Sequence, residues 1–393
     1  MDTLLRHSEL APIAAKLDAQ ERLSAEDGRL LFSNPNLALV GRLADRARRR
    51  LHGRIAWFVR NRHINYTNYC DKTCLFCAFQ RTLDSGPEYG GYVLSMDQVR
   101  KRLAEPGGEH LREVHVVGGV NPDLPYDYYL DLMHTIREAR PGIHIKAFTM
   151  VEIDEMARVS GRSHRQVLGD LQAAGLNTMP GGGAEIFSSR LHRKLFHDKI
   201  GANAWLSIAR CAHELGIKTN ATMLYGHVET VEERVEHLIA LRELQDRTEG
   251  FQAFVPLSFH PDNTPMRKLP KPTAADDLRV IAVSRLLLDN IPHIKAYWIM
   301  ISRAVAQIAL SFGADDVDGT VVEEQIYHDA GADTPEGMTV RELVRLIHDA
   351  GCEPVERDAL YQELKSDFHD LIEFRPAKTR RAIWSDAMNG STS

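Results

Sequence analysis

Three of the five cysteines in the sequence, Cys70, Cys74 and Cys77, lie within the run NYCDKTCLFCAF, separated by three and two residues. Cys211 and Cys352 are far away and form no pair with a metal-binding spacing. A structural zinc site needs four ligands, which are typically supplied as two closely spaced pairs. A cubic cluster of four irons is normally held by four thiolates, so three thiolates leave one iron without a protein ligand. The spacing therefore favours an iron–sulfur cluster with one iron free to bind a small molecule.

The composition excludes several classes of protein. The chain has 393 residues, a formal charge of −6 and a sequence pI of about 6.3, which give no reason to expect nucleic acid as a partner. No run of eighteen apolar residues is present, and the first residues mix charged with apolar side chains, unlike a signal peptide. We therefore expect a cytoplasmic protein without a membrane span. In a reducing compartment, clustered cysteines usually bind metal rather than form disulfides.

Short β-rich runs alternate with longer amphipathic stretches, which is typical of parallel strands joined by helices. Several of the amphipathic stretches begin with helix-capping residues, namely Ser95, the pair Thr230 and Glu233, and Thr273. The runs predicted to be strands cover residues 62–67, 113–119, 144–149, 175–181, 217–226, 251–259 and 294–300.

The six or seven βα units predict an α/β fold, a TIM-type (β/α) barrel that is complete or partial. A doubly wound open sheet is the alternative, because periodicity alone does not reveal whether a sheet closes. We assign residues 1–55 to an N-terminal helical extension, residues 56–312 to the barrel, and residues 313–393 to a small C-terminal α/β segment with a polar tail. The cysteine run follows the first barrel strand, at the end where such barrels build their active sites.

The cysteine run CDKTCLFC has CxxxCxxC spacing and an aromatic residue, Phe76, before its last cysteine. It resembles the signature of the radical S-adenosyl-L-methionine (SAM) superfamily. The resemblance implies that Cys70, Cys74 and Cys77 hold one 4Fe-4S cluster, whose free iron binds SAM through its amino and carboxylate groups. The reduced cluster then cleaves the sulfonium to methionine and a 5′-deoxyadenosyl radical, and Phe76 lies against the adenine.

Other motifs imply further cofactor-binding residues. Gly118 and Gly119 in VVGGVNP resemble the glycine motif that receives the methionine amino group, although two glycines are also typical of a plain turn after a strand. Glu185 in MPGGGAEIF occupies the place where relatives present a polar group to the ribose or amino acid of SAM. Tyr225 and Gly226 in MLYGHVET resemble the motif that supports the adenosine.

Longer segments of the sequence resemble one group within this superfamily. RHINYTNYCDKTCLFCAFQR, PGGGAEIF, NATMLYGHVET and GFQAFVPLSFHPDNTP together resemble the aminofutalosine synthases of the futalosine route to menaquinone. In the implied reaction, the 5′-deoxyadenosyl radical adds to the enol-ether double bond of 3-[(1-carboxyvinyl)oxy]benzoate. Rearrangement and loss of carbon dioxide then give 6-amino-6-deoxyfutalosine. SAM is consumed as a co-substrate, and a reductant such as flavodoxin or ferredoxin is implied.

Two alternatives stay open. Cyclic dehypoxanthine futalosine synthase, an enzyme of the same pathway, shares the cysteine run but uses its radical to abstract hydrogen. The segments GFQAFVPLSFHP and FGADDVDGT favour the first enzyme by resemblance. A protein that only transfers electrons is the other alternative, but it would more naturally bind its cluster through four ligands.

The implied substrate carries two carboxylates, so the barrel mouth needs cations or several hydrogen-bond donors. His227 and His260 each follow a long β-like run, and His227 could move a proton near neutral pH. The candidates for catalysis are therefore Arg190, His227 and His260, with Arg81, Lys146 and Lys295 as further cationic residues near strand ends.

Overall fold

The computed structural model describes residues 3–104 and 110–372, which form two β-sheets and the helices packed against them. The strands are β1 Ile55–Val59, β2 Asn61–Ile64, β3 Glu113–Val116, β4 His144–Ala147, β5 Thr178–Met179, β6 Lys218–Tyr225, β7 Phe251–Ser258, β8 His293–Ile294, β9 Asp316–Gly319, β10 Glu353–Arg357 and β11 Glu363–Lys365.

The helices range from single turns to α11, which has 18 residues. Within the described ranges, none of them is both long and apolar enough to cross a membrane. They are α1 Thr3–Arg6, α2 Ala11–Asp18, α3 Ala25–Ser33, α4 Leu37–His52, α5 Met96–Ala104, α6 Tyr126–Ala139, α7 Met150–Ser160, α8 His164–Ala173, α9 Ser189–Leu195, α10 Ala202–Glu214, α11 Val231–Thr248, α12 Ala274–Leu287, α13 Trp298–Ile301, α14 Arg303–Ala309, α15 Ile326–Asp329, α16 Val340–Asp349 and α17 His369–Ile372.

The larger sheet contains strands β2 to β8 in chain order, and every neighbouring pair is parallel. Helices between the strands pack against the sheet and contribute to one buried apolar core. A doubly wound sheet would require a reversal of strand order, and the seven strands of this sheet have none. The TIM-type alternation of strands and helices predicted from the sequence is confirmed.

Residues 315–322 connect the two edges of this sheet. On one edge, the N–H of Ala296, just after β8, donates to the carbonyl oxygen of Asp316 (2.7 Å). On the other edge, the N–H of His63 in β2 donates to the carbonyl oxygen of Val322 (2.9 Å). Parallel bridges join the same segment to both edges. The sheet is therefore curled round and closed through residues 315–322.

The smaller sheet has the strand order β11-β10-β1-β9, with β1 parallel to both β9 and β10. Trp57 of β1 pairs with Asp316 on one side and with Val355 on the other. β9 therefore takes part in this sheet and in the closure of the barrel. The division of the chain at residues 55 and 312 stays a prediction, and strands from both sides of residue 312 pair with one another.

The predicted helix starts are confirmed at Ser95, Thr230 and Thr273. The hydroxyl of Ser95 accepts a hydrogen bond from the N–H of residue 98 at the start of α5. Thr230 and Thr273 each form a capping box, in which the N-cap side chain and the carboxylate three residues later accept each other's backbone N–H. These reciprocal bonds satisfy donors that the first turn of a helix leaves free.

One predicted strand is mostly wrong. Of residues 294–300, only Ile294 belongs to a strand, and residues 298–301 form the short helix α13. Trp298 is fully buried, and its indole N–H donates to the carbonyl oxygen of Gly319 (2.9 Å). A short apolar run is equally compatible with a buried strand and a buried helix, so periodicity could not separate them.

The closure depends on Asn61, which is fully buried at the start of β2. Its side-chain oxygen accepts the N–H of Val321 (2.8 Å), and its backbone N–H donates to the hydroxyl of Thr320 (3.0 Å). We expect Asn61→Ala to lower the free energy of unfolding by about 1–3 kcal/mol, because the buried N–H of Val321 loses its partner. Urea denaturation followed by circular dichroism measures the change.

The matched control is Asn203→Ala on the exposed side of α10, which should change the free energy of unfolding by less than about 0.5 kcal/mol. Equal effects of the two substitutions would contradict a special role for Asn61 in closing the barrel.

Candidate active site

The inside of the barrel contains a cavity of about 290 Å³, which opens among the loops that follow the carboxyl ends of the strands. Its wall combines residues from the cysteine run, the glycine-rich turns after β3 and β5, the interior of several strands and residues 324–330. Active sites of TIM-type barrels are built at this end of the strands. The cavity is therefore the candidate active site.

The thiol-bearing residues Cys70, Cys74 and Cys77 all line this cavity, as predicted, whereas Cys211 and Cys352 do not. The cysteine run begins beside a parallel bridge, and the N–H of Cys70 donates to the carbonyl oxygen of residue 81 (3.0 Å). All five cysteines are free thiols. The fold thus brings three of the five thiols to the wall of one cavity and leaves the other two outside it.

The protonation of these thiols reflects their burial. Burial raises the pKa of Cys70 and Cys77, and it raises the pKa of Cys74 to about 12, although the nearby ammonium of Lys199 opposes the shift. Without a metal the thiols are therefore neutral. Iron binds thiolates and replaces the proton, so three thiols that line one cavity next to a cation fit a 4Fe-4S cluster.

The predicted glycine motif forms the floor beneath the cysteine run. A Cβ on Gly119 would lie 2.3 Å from the carbonyl oxygen of Tyr69, so only glycine allows the turn after β3 to approach this closely. The N–H of Gly118 donates to the carboxylate of Glu152 (3.1 Å), which also accepts the hydroxyl of Tyr66 (2.7 Å). Gly118 and Gly119 both line the cavity.

Glu185 and Phe76 also line the cavity, and Lys199 lies between them. The ammonium of Lys199 forms an ion pair with Glu185 and lies 5.8 Å from the ring centre of Phe76. Burial alone would lower the pKa of Lys199, but Glu185 and the thiols of Cys74 and Cys77 outweigh it and raise the pKa. Lys199 was not predicted from the sequence, because it belongs to a polar loop and to none of the recognised motifs.

The structure does not bring Tyr225 and Gly226 into the cavity. Residues 220, 222 and 224 of β6 line it, so Tyr225 has the opposite parity and faces the helices. Its buried hydroxyl donates to Asp277 (2.7 Å). Gly226 has a φ of +89°, and a Cβ there would lie 2.2 Å from the ring of Pro272.

His227 and Arg190 likewise lie outside the cavity wall. The side chain of His227 is 1% exposed, and its Nδ1 accepts the N–H of Val228 (2.7 Å). Burial lowers the pKa of His227, although Glu229 opposes the shift, so the ring is neutral. Arg190 is half-exposed on α9, and its guanidinium pairs with Glu233 (2.7 Å). The structure gives no support for the predicted catalytic roles of these two residues.

His260 is the one predicted catalytic residue that lines the cavity. Its Nε2 lies 2.8 Å from the carbonyl oxygen of Met300 and donates to it. Burial lowers the pKa of His260, so the ring is neutral and its Nδ1 carries a lone pair. This buried Nδ1 has no hydrogen-bond partner among residues 3–104 and 110–372.

Several polar residues deeper in the cavity were missed or named only as possible cations. His63, His115 and Lys146 come from the interiors of β2, β3 and β4, and Lys295 follows β8. Asp318 of β9 pairs with Lys295. Polar residues inside β-like runs that are otherwise apolar were the available signal, because buried parallel strands are usually apolar throughout.

Residues 324–330 cover one side of the cavity through Glu324, Tyr327 and their neighbours. His328 holds this segment, since its Nδ1 lies 2.5 Å from the carbonyl oxygen of Glu324 and its Nε2 lies 3.0 Å from that of Thr334. Both nitrogens must carry protons to make these bonds. The carboxylate of Glu324, which lies 3.3 Å from Nδ1, is the main reason that the pKa of His328 is raised to about 9, and the two backbone bonds add to the shift.

The raised pKa of His328 predicts a dependence of stability on pH. The stabilisation is fully present below the unfolded pKa of about 6.5 and is lost as the pH rises through about 9. We expect the wild-type free energy of unfolding to fall between pH 6.5 and pH 9.5 by about 1 kcal/mol more than that of His328→Gln, a value reduced because the ring is partly exposed. Urea denaturation at the two pH values measures this difference.

The control is His134→Gln, at an exposed position of α6, which should behave like the wild type. A smaller fall of the free energy of unfolding in the wild type than in His328→Gln would contradict the assignment.

The three-thiol arrangement predicts a difference between cysteines. After anaerobic reconstitution with iron and sulfide, Cys74→Ala should bind less than half of the iron of the wild type and lack its visible absorption, because one cluster ligand is lost. Cys211→Ala, on the helix α10 and outside the cavity, should keep the full iron content. Equal iron binding by the two variants would exclude Cys74 as a ligand.

The sequence matches the profiles of two known protein families. The radical SAM superfamily profile matches residues 64–241, and the CofH/MqnC C-terminal region profile matches residues 248–369. The solved structure of methylornithine synthase superposes with a TM-score of 0.69 at 18% identity, covering 87% of this chain and 97% of that one. At this identity the superposition supports the fold alone.

Curated relatives are similar over most of their lengths. The aminodeoxyfutalosine synthase of Thermus thermophilus is 47% identical over 92% of this chain and 97% of its own. A 5-amino-6-(D-ribitylamino)uracil--L-tyrosine 4-hydroxyphenyl transferase of Methanococcoides burtonii is 38% identical over 82% and 91% of the two chains. The cyclic dehypoxanthine futalosine synthase of Halalkalibacterium halodurans is 37% identical over 88% and 92%. With its three cavity thiols, the chain belongs to the radical SAM superfamily of enzymes, in the group that carries the CofH/MqnC C-terminal region.

Proposed function

We propose that this enzyme is an aminodeoxyfutalosine synthase. It would transfer the 5′-deoxyadenosyl group of SAM to 3-[(1-carboxyvinyl)oxy]benzoate, with rearrangement and loss of carbon dioxide, to give 6-amino-6-deoxyfutalosine for menaquinone biosynthesis. The observation that carries the proposal is the 47% identity to the Thermus enzyme of that name over nearly the whole of both chains. The other two reactions belong to relatives at 38% and 37% identity.

The cofactors would be held by the cavity residues that follow the carboxyl ends of the strands. Cys70, Cys74 and Cys77 would bind three irons of a 4Fe-4S cluster. When bound and reduced, such a cluster supplies the electron that cleaves the sulfonium of SAM. The turn at Gly118 and Gly119, whose residues carry no side chains of their own and line the cavity, would accommodate the amino-acid part of SAM. Phe76 would lie against the adenine, and Glu185 would accept a hydrogen bond from SAM.

The remaining cavity residues bind substrate and exclude water. Apolar side chains form much of the wall and would exclude water from the part of the cavity where the radical forms. They include Val117, Val151, Leu224, Val255, Leu257 and Phe259. His260 would hold or accept a proton at Nδ1, since its Nε2–H is committed to Met300.

We propose a supporting rather than a catalytic role for the predicted residues outside the cavity. The carboxylate of Glu229 accepts the N–H groups of Gly226 (2.6 Å) and His227 (2.9 Å), which fixes the turn after β6. Tyr225 anchors the same strand through Asp277. Arg190 joins α9 to α11 through Glu233. An external reductant such as flavodoxin or ferredoxin and a cytoplasmic location complete the proposal.

The test is product analysis. The enzyme, reconstituted anaerobically, is reduced in the presence of SAM and 3-[(1-carboxyvinyl)oxy]benzoate, and the products are identified by mass spectrometry. We expect 6-amino-6-deoxyfutalosine, in which the adenine carbons of SAM are retained. Cys211→Ala should give the same product, and Cys74→Ala should give none.

Two results would contradict the proposal. Free 5′-deoxyadenosine with cyclisation of dehypoxanthine futalosine would assign the chain to the cyclase reaction. Consumption of tyrosine and 5-amino-6-(D-ribitylamino)uracil, without reaction of the enol ether, would assign it to the 4-hydroxyphenyl transferase reaction.

A further inference from the structure

A row of polar side chains lies at the inner end of the cavity, apart from the residues proposed to bind the cofactors. His63 of β2 is in register with His115 of β3, which is in register with Lys146 of β4. All three side chains line the cavity. Neighbouring residues in register lie side by side across a sheet, so one imidazole is followed by a second and then by an ammonium. The rings of His63 and His115 are 4.4 Å apart between their centres.

Two buried lysines provide hydrogen-bond donors at this end. Lys146 and Lys295 are 1% and 3% exposed, and both line the cavity. The ammonium of Lys146 pairs with Glu113 (2.6 Å), and that of Lys295 pairs with Asp318. An ammonium has three N–H donors. Within residues 3–104 and 110–372 each of these lysines uses one donor on a side chain, so further donors remain for a ligand.

The lysines are close enough to influence each other. Burial lowers the pKa of Lys146, Glu113 opposes that shift, and the charge of Lys295 reinforces it. A further anion beside a buried ammonium stabilises its charged form, because charges in a buried site are only weakly screened. Each ammonium is already paired with one carboxylate, and Asp318 and Glu324 also line the cavity, so a further carboxylate would be bound by the N–H donors that these pairs leave free.

His63 supplies a third donor. Its side chain is 4% exposed, and its Nε2 is buried without a hydrogen-bond partner in the described part of the chain. Buried polar atoms without a partner are rare in proteins, and one that faces a cavity is usually completed by a ligand or water. Burial lowers the pKa of His63, so the ring is neutral, and in the tautomer with its proton on Nε2 it donates into the cavity.

The row of His63, His115 and Lys146 lies deeper in the barrel than the glycine turn. His115 lies within β3, whereas Gly118 and Gly119 follow the end of that strand at Val116. At about 3.3 Å per residue, the row is about 10 Å deeper than the glycine turn. The thiols also follow the end of their strand, β2, so the row lies deeper in the barrel than the thiols.

We propose that Lys146, Lys295 and His63 form the subsite that binds the ring carboxylate of the aryl enol-ether substrate. The inference rests on the proposed function for the identity of that substrate. The enol-ether double bond must face the adenosyl group at the outer end of the cavity. The ring carboxylate is at the other end of the molecule and points inward, where two ammonium groups and an imidazole replace its water of hydration.

The experiment compares two substrates. The first is 3-[(1-carboxyvinyl)oxy]benzoate, and the second is (1-carboxyvinyl)oxybenzene, which lacks only the ring carboxylate. In the reconstituted wild-type enzyme we expect kcat/KM for the first to exceed that for the second by about 10- to 100-fold, as for the loss of charge-assisted hydrogen bonds. In Lys146→Met and Lys295→Met this ratio should fall towards one, mainly through KM.

Matched variants separate recognition from folding. Lys16→Met removes a lysine that pairs with Asp27 far from the cavity, and it should keep the wild-type ratio. Lys146→Met leaves Glu113 unpaired, so Glu113→Gln with Lys146→Met provides a version without a buried uncompensated charge. Circular dichroism checks that each variant is folded. An unchanged ratio in the folded lysine variants would overturn the subsite.

A binding measurement distinguishes failure of the subsite from failure of the proposed function. Calorimetry of the reconstituted enzyme with 3-methoxybenzoate tests recognition of an aryl carboxylate without any reaction. Binding by the wild type and at least tenfold weaker binding by Lys146→Met would support the subsite even if no futalosine product formed. Product formation with equal binding by both proteins would overturn the subsite and leave the function intact. No binding by the wild type would also overturn the subsite.

Discussion

Three aspartates of residues 315–322, the segment that closes the barrel, each form an ion pair with a buried cation, and the rest of the barrel depends on these pairs. They are Asp315 with Arg285 (2.5 Å), Asp316 with Arg357 (2.8 Å) and Asp318 with Lys295. Arg285 comes from α12, Arg357 from β10 and Lys295 from the end of β8, so one short segment is fastened to three separate parts of the fold. Loss of one partner would leave an uncompensated buried charge, which is strongly destabilising.

The same closure gives the cavity its chemical character. Because residues 315–322 join the two edges of the sheet, the interior is shielded from solvent, and charged groups there exist only as pairs or become neutral. Glu113 pairs with Lys146, while His63 and His115 lose their protons through burial. The cavity wall combines apolar side chains, which exclude water, with buried ion pairs. One cavity can therefore hold a cofactor and a charged substrate at separate depths.

The candidate site was predictable where the information lies in short segments. The spacing of Cys70, Cys74 and Cys77 and the glycines after β3 are local patterns, and the structure places all of them on the cavity wall. The errors concern side-chain direction. Tyr225 was predicted to lie at the site because its motif resembles the one that supports the adenosine, yet it has the parity of the outer face and its hydroxyl donates to Asp277. One residue of displacement along a strand moves a side chain to the other face.

The sequence by itself determined the alternation of strands and helices, the helix caps and the spacing of the three cysteines, because each depends on residues close together in the chain. Only the tertiary structure decided that residues 315–322 close the sheet and that residues 298–301 form a helix. It also brought together Lys146, Lys295 and His63, which are far apart in sequence. Their meeting depends on strand register and on the curvature of the sheet, which arise from packing of the whole chain rather than from any local pattern.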